Sequence, residues 1–134
     1  MARSALSAPA RVGGHALLVA SQVPGFSAIA DLWGGNVIVP ADRLTPNQPV
    51  AVIDMTPQLN VPLIGLFGND DMGPSPAQVN EHEEARKENG KTYVFHRYDG
   101  AGHGFFYYHM PAYRQQAAMD GWDKVDAFFA QYLA

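Results

Sequence analysis

The chain has no cysteine, so a disulfide, a thiolate metal ligand and a cysteine nucleophile are all excluded. It also lacks any run of Lys or Arg, and its formal net charge is −4. That removes the electrostatic footprint on which nucleic-acid binding usually rests, and no nucleic-acid partner is expected. Long apolar stretches are missing too. Ala16 to Ala20 and Val61 to Phe67 fall far short of the roughly 20 residues of a membrane-spanning helix, so no membrane partner is expected either. No acid precedes Asp31, as in transit peptides, but no apolar segment leads into a small-residue cleavage site. A cytoplasmic address is therefore the default expectation.

What is present suits one compact unit. The 134 residues are 47% hydrophobic and 16% charged, enough to bury a single core. Residues 1–12, rich in Ala, Ser, Pro and Arg, show no apolar periodicity and read as a flexible N-terminal arm. Gly14 to Val23 carries apolar residues at helical spacing and stops at Pro24-Gly25, which predicts a short helix. Phe26 to Trp33 is a compact apolar run ended by Gly34-Gly35, and Val61 to Phe67 is another ended by Gly68-Asn69-Asp70-Asp71. Both read as buried strands. Between them, Pro40, Pro46, Pro49 and Pro57 predict a long surface excursion.

Pro76 to Asn89 reads as a solvated helix, Lys91 to Tyr98 as a strand rich in aromatic and β-branched residues, and Ala112 to Leu133 as an amphipathic helix. Strands alternating with helices predict an α/β layer, with a small parallel sheet of about three strands flanked by helices.

Parallel sheets present reactive groups in the loops beyond the carboxyl ends of their strands. Two loops qualify here. Gly68-Asn69-Asp70-Asp71 supplies carboxylates, and Gly100-Ala101-Gly102-His103-Gly104-Phe105 supplies an imidazole. A carboxylate that fixes a histidine tautomer makes the ring a general base, and acid before histidine is the chain order of α/β-hydrolases. The alternative is that Asp70 and Asp71 cap the next segment and that His103 sits in an ordinary glycine turn.

The segments ADLWGG, VPLIGLFGNDD followed by PSP, FHRYDGAGHGFF, the trailing PAYR and the final aromatic helix resemble the C-terminal half of the dienelactone hydrolase family. The resemblance covers residues 13–134 and implies a partial α/β-hydrolase fold. It places the family's triad acid on Asp71, with Asp70 as alternate, and its histidine on His103. It implies carboxylic-ester or lactone hydrolysis, a small ester or lactone ligand, and no cofactor. The family's nucleophile is a Cys or Ser in a Gly-x-Cys/Ser-x-Gly elbow. Counting back from Gly13-Gly14 puts Arg11 at that position, after Pro9 and Ala10. Ser4 and Ser7 lie in the arm without a strand-turn-helix context. The expected function is thus a hydrolase-like chain with the acid and histidine of a triad, inactive alone, or else a non-catalytic dimeric module on the same scaffold.

Other side chains have blander readings. His15, His82, His96 and His109 show no zinc spacing. Phe105, Phe106, Tyr107, Tyr108 and Tyr113 could line a pocket or pack the core. Arg114 could meet a substrate carboxylate or make a structural contact, and Glu81, Glu83, Glu84 and Glu88 read as a solvated helix face. With the preceding strand absent, Phe26 to Trp33 would form an unpaired edge. A homodimer is therefore expected, through that edge or the helix Gly14 to Val23.

Overall fold

The computed structural model describes residues 3–134. Four strands, β1 (Ser4–Pro9), β2 (Phe26–Leu32), β3 (Leu63–Gly68) and β4 (Tyr93–Tyr98), pair in parallel in the order β1-β2-β3-β4. Every residue of β3 is buried, as is β2 from Ala28 onward, which is why both read as mainly apolar runs rather than alternating ones, Asp31 of β2 excepted. Three helices cover the sheet: α1 (Ala10–Gln22), α2 (Pro76–Glu88) and α3 (Gln115–Leu133).

Alternation along the strands divides the core in two. Ile64 and Leu66 share one buried cluster with Val125 and Phe128 of α3, and with Trp33 and Phe105. Ile29 and Leu63 share the other with Leu17 and Ala20 of α1 and with Val52 and Leu59. Helix α2 lies on the α1 face, where His82 packs on Phe95 of β4 with ring centroids 5.0 Å apart. Its start is fixed by a capping box in which Ser75 Oγ accepts from Gln78 N and Gln78 Oε1 accepts from Ser75 N, with Pro76 in the first turn.

The sheet has one strand more than the sequence pattern suggests. Ser4 to Pro9 form β1 and are not a loose arm; Met1 and Ala2 lie outside the described residues. Leu6 pairs with Ile29 and Ala8 with Asp31. The buried strand β2 would otherwise leave a row of backbone donors and acceptors open along its length, and pairing satisfies them even from a segment of poor strand formers. Consequently Phe26 to Trp33 is no edge, and a dimer through it loses its premise. The outer edges are β1 and β4. Helix α2 is also less solvated than expected, because Val79, His82 and Arg86 are buried along one flank.

Candidate active site

The loops after β3 and β4 are laced together by backbone. Asn69 N donates to Tyr98 O at 2.9 Å and Asp70 N to Ala101 O at 2.9 Å, while Asn69 Nδ2 donates to Asp99 Oδ1 at 2.7 Å. The loops approach so closely that a Cβ on Gly68 would stand 2.2 Å from the Ala101 carbonyl oxygen, so only glycine fits there.

This lacing brings Asp71 under His103. His103 Nδ1 donates to Asp71 Oδ2 at 2.8 Å, and Gly73 N donates to Asp71 Oδ1 at 2.8 Å. The carboxylate is nearly sealed, at 3% side-chain exposure, while the imidazole is 46% exposed. Asp70 points to solvent, so of the two acids named from sequence, Asp71 holds the histidine. With Nδ1 bound to the carboxylate, Nε2 is left free to face the cavity. His103 lines a cavity of about 460 Å³ together with Arg11, Arg43, Asn36, Gln78 and the Gly35 backbone.

The third side of this cavity is the junction of β1 with α1. The strand ends at Pro9 and the helix begins at once, with Ala10 at φ 53°, an uncommon conformation for a side chain bearing a Cβ. Gly35 N donates to Ala10 O at 3.2 Å, tying the turn to the end of β2, and Ala10 packs against the cluster containing Trp33 and Phe105. The sharp strand-to-helix turn therefore falls on Ala10, with Arg11 the next residue, one position off the count made from the glycine pair. That count assumed a fixed spacing from turn to glycine. Gly13 is placed instead by Asp31 and Gly34, since its Cβ would lie 2.5 Å from Asp31 Oδ1 and 2.7 Å from Gly34 Cα. Ser4 and Ser7 are exposed residues within β1, short of the turn.

Beneath the turn lies a buried polar group that sequence reasoning missed. Asp31 is fully buried, and neither carboxylate oxygen has a hydrogen-bond partner. Burial pushes its pKa up to about 7, offset only in part by the Gly34 amide and by Arg86. Buried Arg86 donates from Nε to His82 Nε2 at 3.2 Å. Burial, and then the charge of Arg86, push His82 down to about 3, while burial brings Arg86 down to about 10 against the pull of Asp31. The sequence signal was present: Val79, His82 and Arg86 recur at three- and four-residue spacing, which puts them on one helix flank.

The remaining candidates resolve into structure. Phe105 and Phe106 are buried, whereas Tyr107 and Tyr108 are exposed. Arg114 donates to the carbonyls of Gly100, Pro111 and Tyr113, holding the loop from β4 to α3. Glu83 pairs with Arg97 at 3.3 Å, and Glu81, Glu84 and Glu88 are exposed. Among the described residues, no three His, Asp or Glu side chains gather as a metal site, and no helix is long and apolar enough to cross a membrane.

A family model described as the dienelactone hydrolase family matches residues 12–133. A protein of Methylorubrum extorquens, named as a candidate carboxymethylenebutenolidase, is 36% identical over 100 residues, covering 75% of this chain and 33% of that protein. An Escherichia coli K12 protein named in the same way is 33% identical over 116 residues, covering 86% and 41%. Among solved structures, a candidate dienelactone hydrolase of Klebsiella pneumoniae superposes with a TM-score of 0.88 at 26% identity, covering 96% of this chain and 52% of that one. The chain thus spans a third to about half of the length of these relatives.

Proposed function

Because this chain belongs to the dienelactone hydrolase family, we propose that its cavity is a carboxylic-ester or lactone site that keeps the acid and base of a hydrolytic triad, with alanine at the nucleophile's turn. The observation that carries this reading is the 2.8 Å contact between His103 Nδ1 and Asp71 Oδ2 at the rim of the cavity. A carboxylate so placed fixes the ring and stabilises the imidazolium that forms when Nε2 takes a proton. What the ring has to deprotonate is missing: Ala10 holds the strained turn and carries only a methyl group, and the chain contains no cysteine. The chain binds a small ester or lactone beside His103 and does not turn it over. The names of the relatives support the substrate class, which is that of the carboxymethylenebutenolidases.

Hydrolysis of an activated ester such as p-nitrophenyl acetate tests this. Loss of a triad nucleophile costs on the order of a million-fold in turnover, so the unmodified chain should show background rates only. Ala10→Cys should acylate and raise hydrolysis on the order of a hundredfold or more. Robust turnover by the unmodified chain that His103→Ala abolishes would refute the reading.

A further inference from the structure

Two buried groups of opposite charge lie inside the molecule, on the face of the sheet that carries α1 and α2, and the ester site uses neither. Asp31 is fully buried and neither carboxylate oxygen has a partner. Arg86, also buried, directs Nε and Nη2 at His82 Nε2, at 3.2 and 3.0 Å, and its Nη1 has no partner. The two feel one another, since the charge of Arg86 pulls Asp31 down and that of Asp31 pulls Arg86 up, yet no hydrogen bond joins them. Buried polar groups are nearly always bonded. An unbonded pair of opposite charge, within electrostatic reach, is an arrangement with a second state available to it.

The carboxyl group is clamped by two glycines. A Cβ on Gly13 would stand 2.5 Å from Asp31 Oδ1, and one on Gly34 only 2.0 Å from it, so a side chain at either position would displace the group. Gly13 lies three residues beyond Ala10 in α1, and Gly34 precedes Gly35, whose amide donates to the Ala10 carbonyl. The backbone that holds the Ala10 turn thus also holds the carboxyl. Few other charges reach it. Its sheet partners are Ala8 and Gly65, and neither β1 nor β3 has a titratable side chain. Arg11 and His15 of α1 are exposed, as is Asp54 in the segment that packs on α1. From α2 come Arg86 and His82, and His82 stays uncharged through the neutral range because burial holds it at about 3.

We propose that Asp31 is a proton-operated latch on the Ala10 turn. Protonated, its carboxyl lies uncharged between Gly13 and Gly34 and leaves Arg86 to His82. On losing the proton it becomes a buried carboxylate, which an interior tolerates only with a partner. The partners at hand are the Gly34 amide and the free Nη1 of Arg86. Arg86 therefore swings from His82 toward Asp31, and Gly13 and Gly34, which have no slack around the carboxyl, move with it. Ala10 follows through the Gly35 amide. The turn has two settings, chosen by the charge on one buried group. Asp31 is accordingly a positioning residue, acting on the cavity only through the turn, and its bearing on hydrolysis rests on the ester-site reading above.

Side-chain ¹³C spectra of the aspartates, recorded with the amide resonances of Ala10, Gly13 and Gly34 through the neutral range, test the latch in the unmodified chain. The Asp31 carboxyl and the three amides should titrate together, with a midpoint of about 7. Asp31→Asn, nearly isosteric, should remove the amide step while circular dichroism shows the same fold. Arg86→Gln takes away the charge that favours the carboxylate and should move the midpoint upward. Ester hydrolysis by Ala10→Cys should carry the same inflection, and adding Asp31→Asn should erase it. If Ala10→Cys is inactive, the ester reading fails and the amide titration still decides the latch. An Asp31 carboxyl that titrates in the ordinary carboxylate range would overturn the proposal. So would an Ala10 step that survives Asp31→Asn, or an Asp31 that titrates near neutrality without moving Ala10.

Discussion

The two junctions that face the cavity hold complementary parts of one arrangement. After β3 and β4 the chain supplies reactive side chains, Asp71 and His103, on loops that three hydrogen bonds lace together. After β1 it supplies the backbone of a sharp strand-to-helix turn with Ala10 at φ 53°, and no reactive group. The difference teaches that such a turn is fixed by its surroundings: the Gly35 amide on the Ala10 carbonyl, and Gly13 pressed on Asp31 and Gly34. At the other junction geometry and chemistry are inseparable, because Asp71 fastens both the Gly73 turn and the histidine.

The largest effect expected from this difference is on rate. In the Ala10→Cys chain, His103→Ala should return ester hydrolysis to the unmodified level, a loss on the order of a hundredfold. If hydrolysis stays high, the turn and the histidine do not face one another. Next comes Phe105→Ala, two residues past His103. It removes a fully buried ring that meets both Trp33, at 5.1 Å, and Phe105's neighbour Phe106, at 5.0 Å. Denaturant unfolding should show a loss of about 3–5 kcal/mol. A loss under about 1 kcal/mol would mean that the two junctions are not joined through this cluster.

Asp31, beneath the Ala10 turn, should write itself into the pH dependence of stability. Its folded pKa of about 7 lies above the ordinary carboxylate value. Its contribution is therefore fully present below about pH 4 and is lost as pH rises toward 7. His82 runs the other way: its folded pKa is about 3, so its contribution is present above about pH 6.5 and is lost on acidification. Between about pH 4 and 6.5 the two contributions oppose and largely cancel, so Asp31→Asn should unmask the rise of stability with pH that His82 gives and raise stability at pH 8 by a few kcal/mol. An Asp31→Asn chain whose stability shows the same pH dependence as the unmodified chain would contradict the assignment. The smallest effect is expected far from either junction. Ser75→Ala removes one half of the capping box of α2 and should cost about 1 kcal/mol, with the ester assay on Ala10→Cys unmoved.

Most of the fold was legible because its strands and helices announce themselves. Val61 to Phe67 is apolar throughout, Phe26 to Trp33 is apolar but for Ser27 and Asp31, and α3 carries apolar residues at three- and four-residue spacing, of which Val125 and Phe128 are buried while Met119 and Trp122 are exposed. β1 was not legible, since Ser4 to Pro9 has neither β-branched nor aromatic residues and is a strand only because β2 offers it an edge. The Asp71 and His103 pair could be read from loop position and from resemblance, because glycine turns after buried strands leave few places for a carboxylate and an imidazole to meet. The apex of the β1 turn was misplaced by one residue, because its position depends on the packing of Gly13 against Asp31, a contact between residues eighteen apart in sequence. Asp31 itself lies in a run that reads as plain strand, and only the fold reveals that its carboxyl group has no outlet to water.

The pairing of His103 with Asp71 can be observed without any reaction, through the ring nitrogens. Long-range ¹H–¹⁵N correlation spectra of the histidine side chains report which ring nitrogen carries the proton. The structure predicts that His103 holds it on Nδ1, with Nε2 bare toward the cavity, and that Asp71→Ala shifts the ring toward the Nε2–H form. A His103 ring with its proton on Nε2 in the unmodified chain, unaltered by Asp71→Ala, would show that the carboxylate does not hold the base.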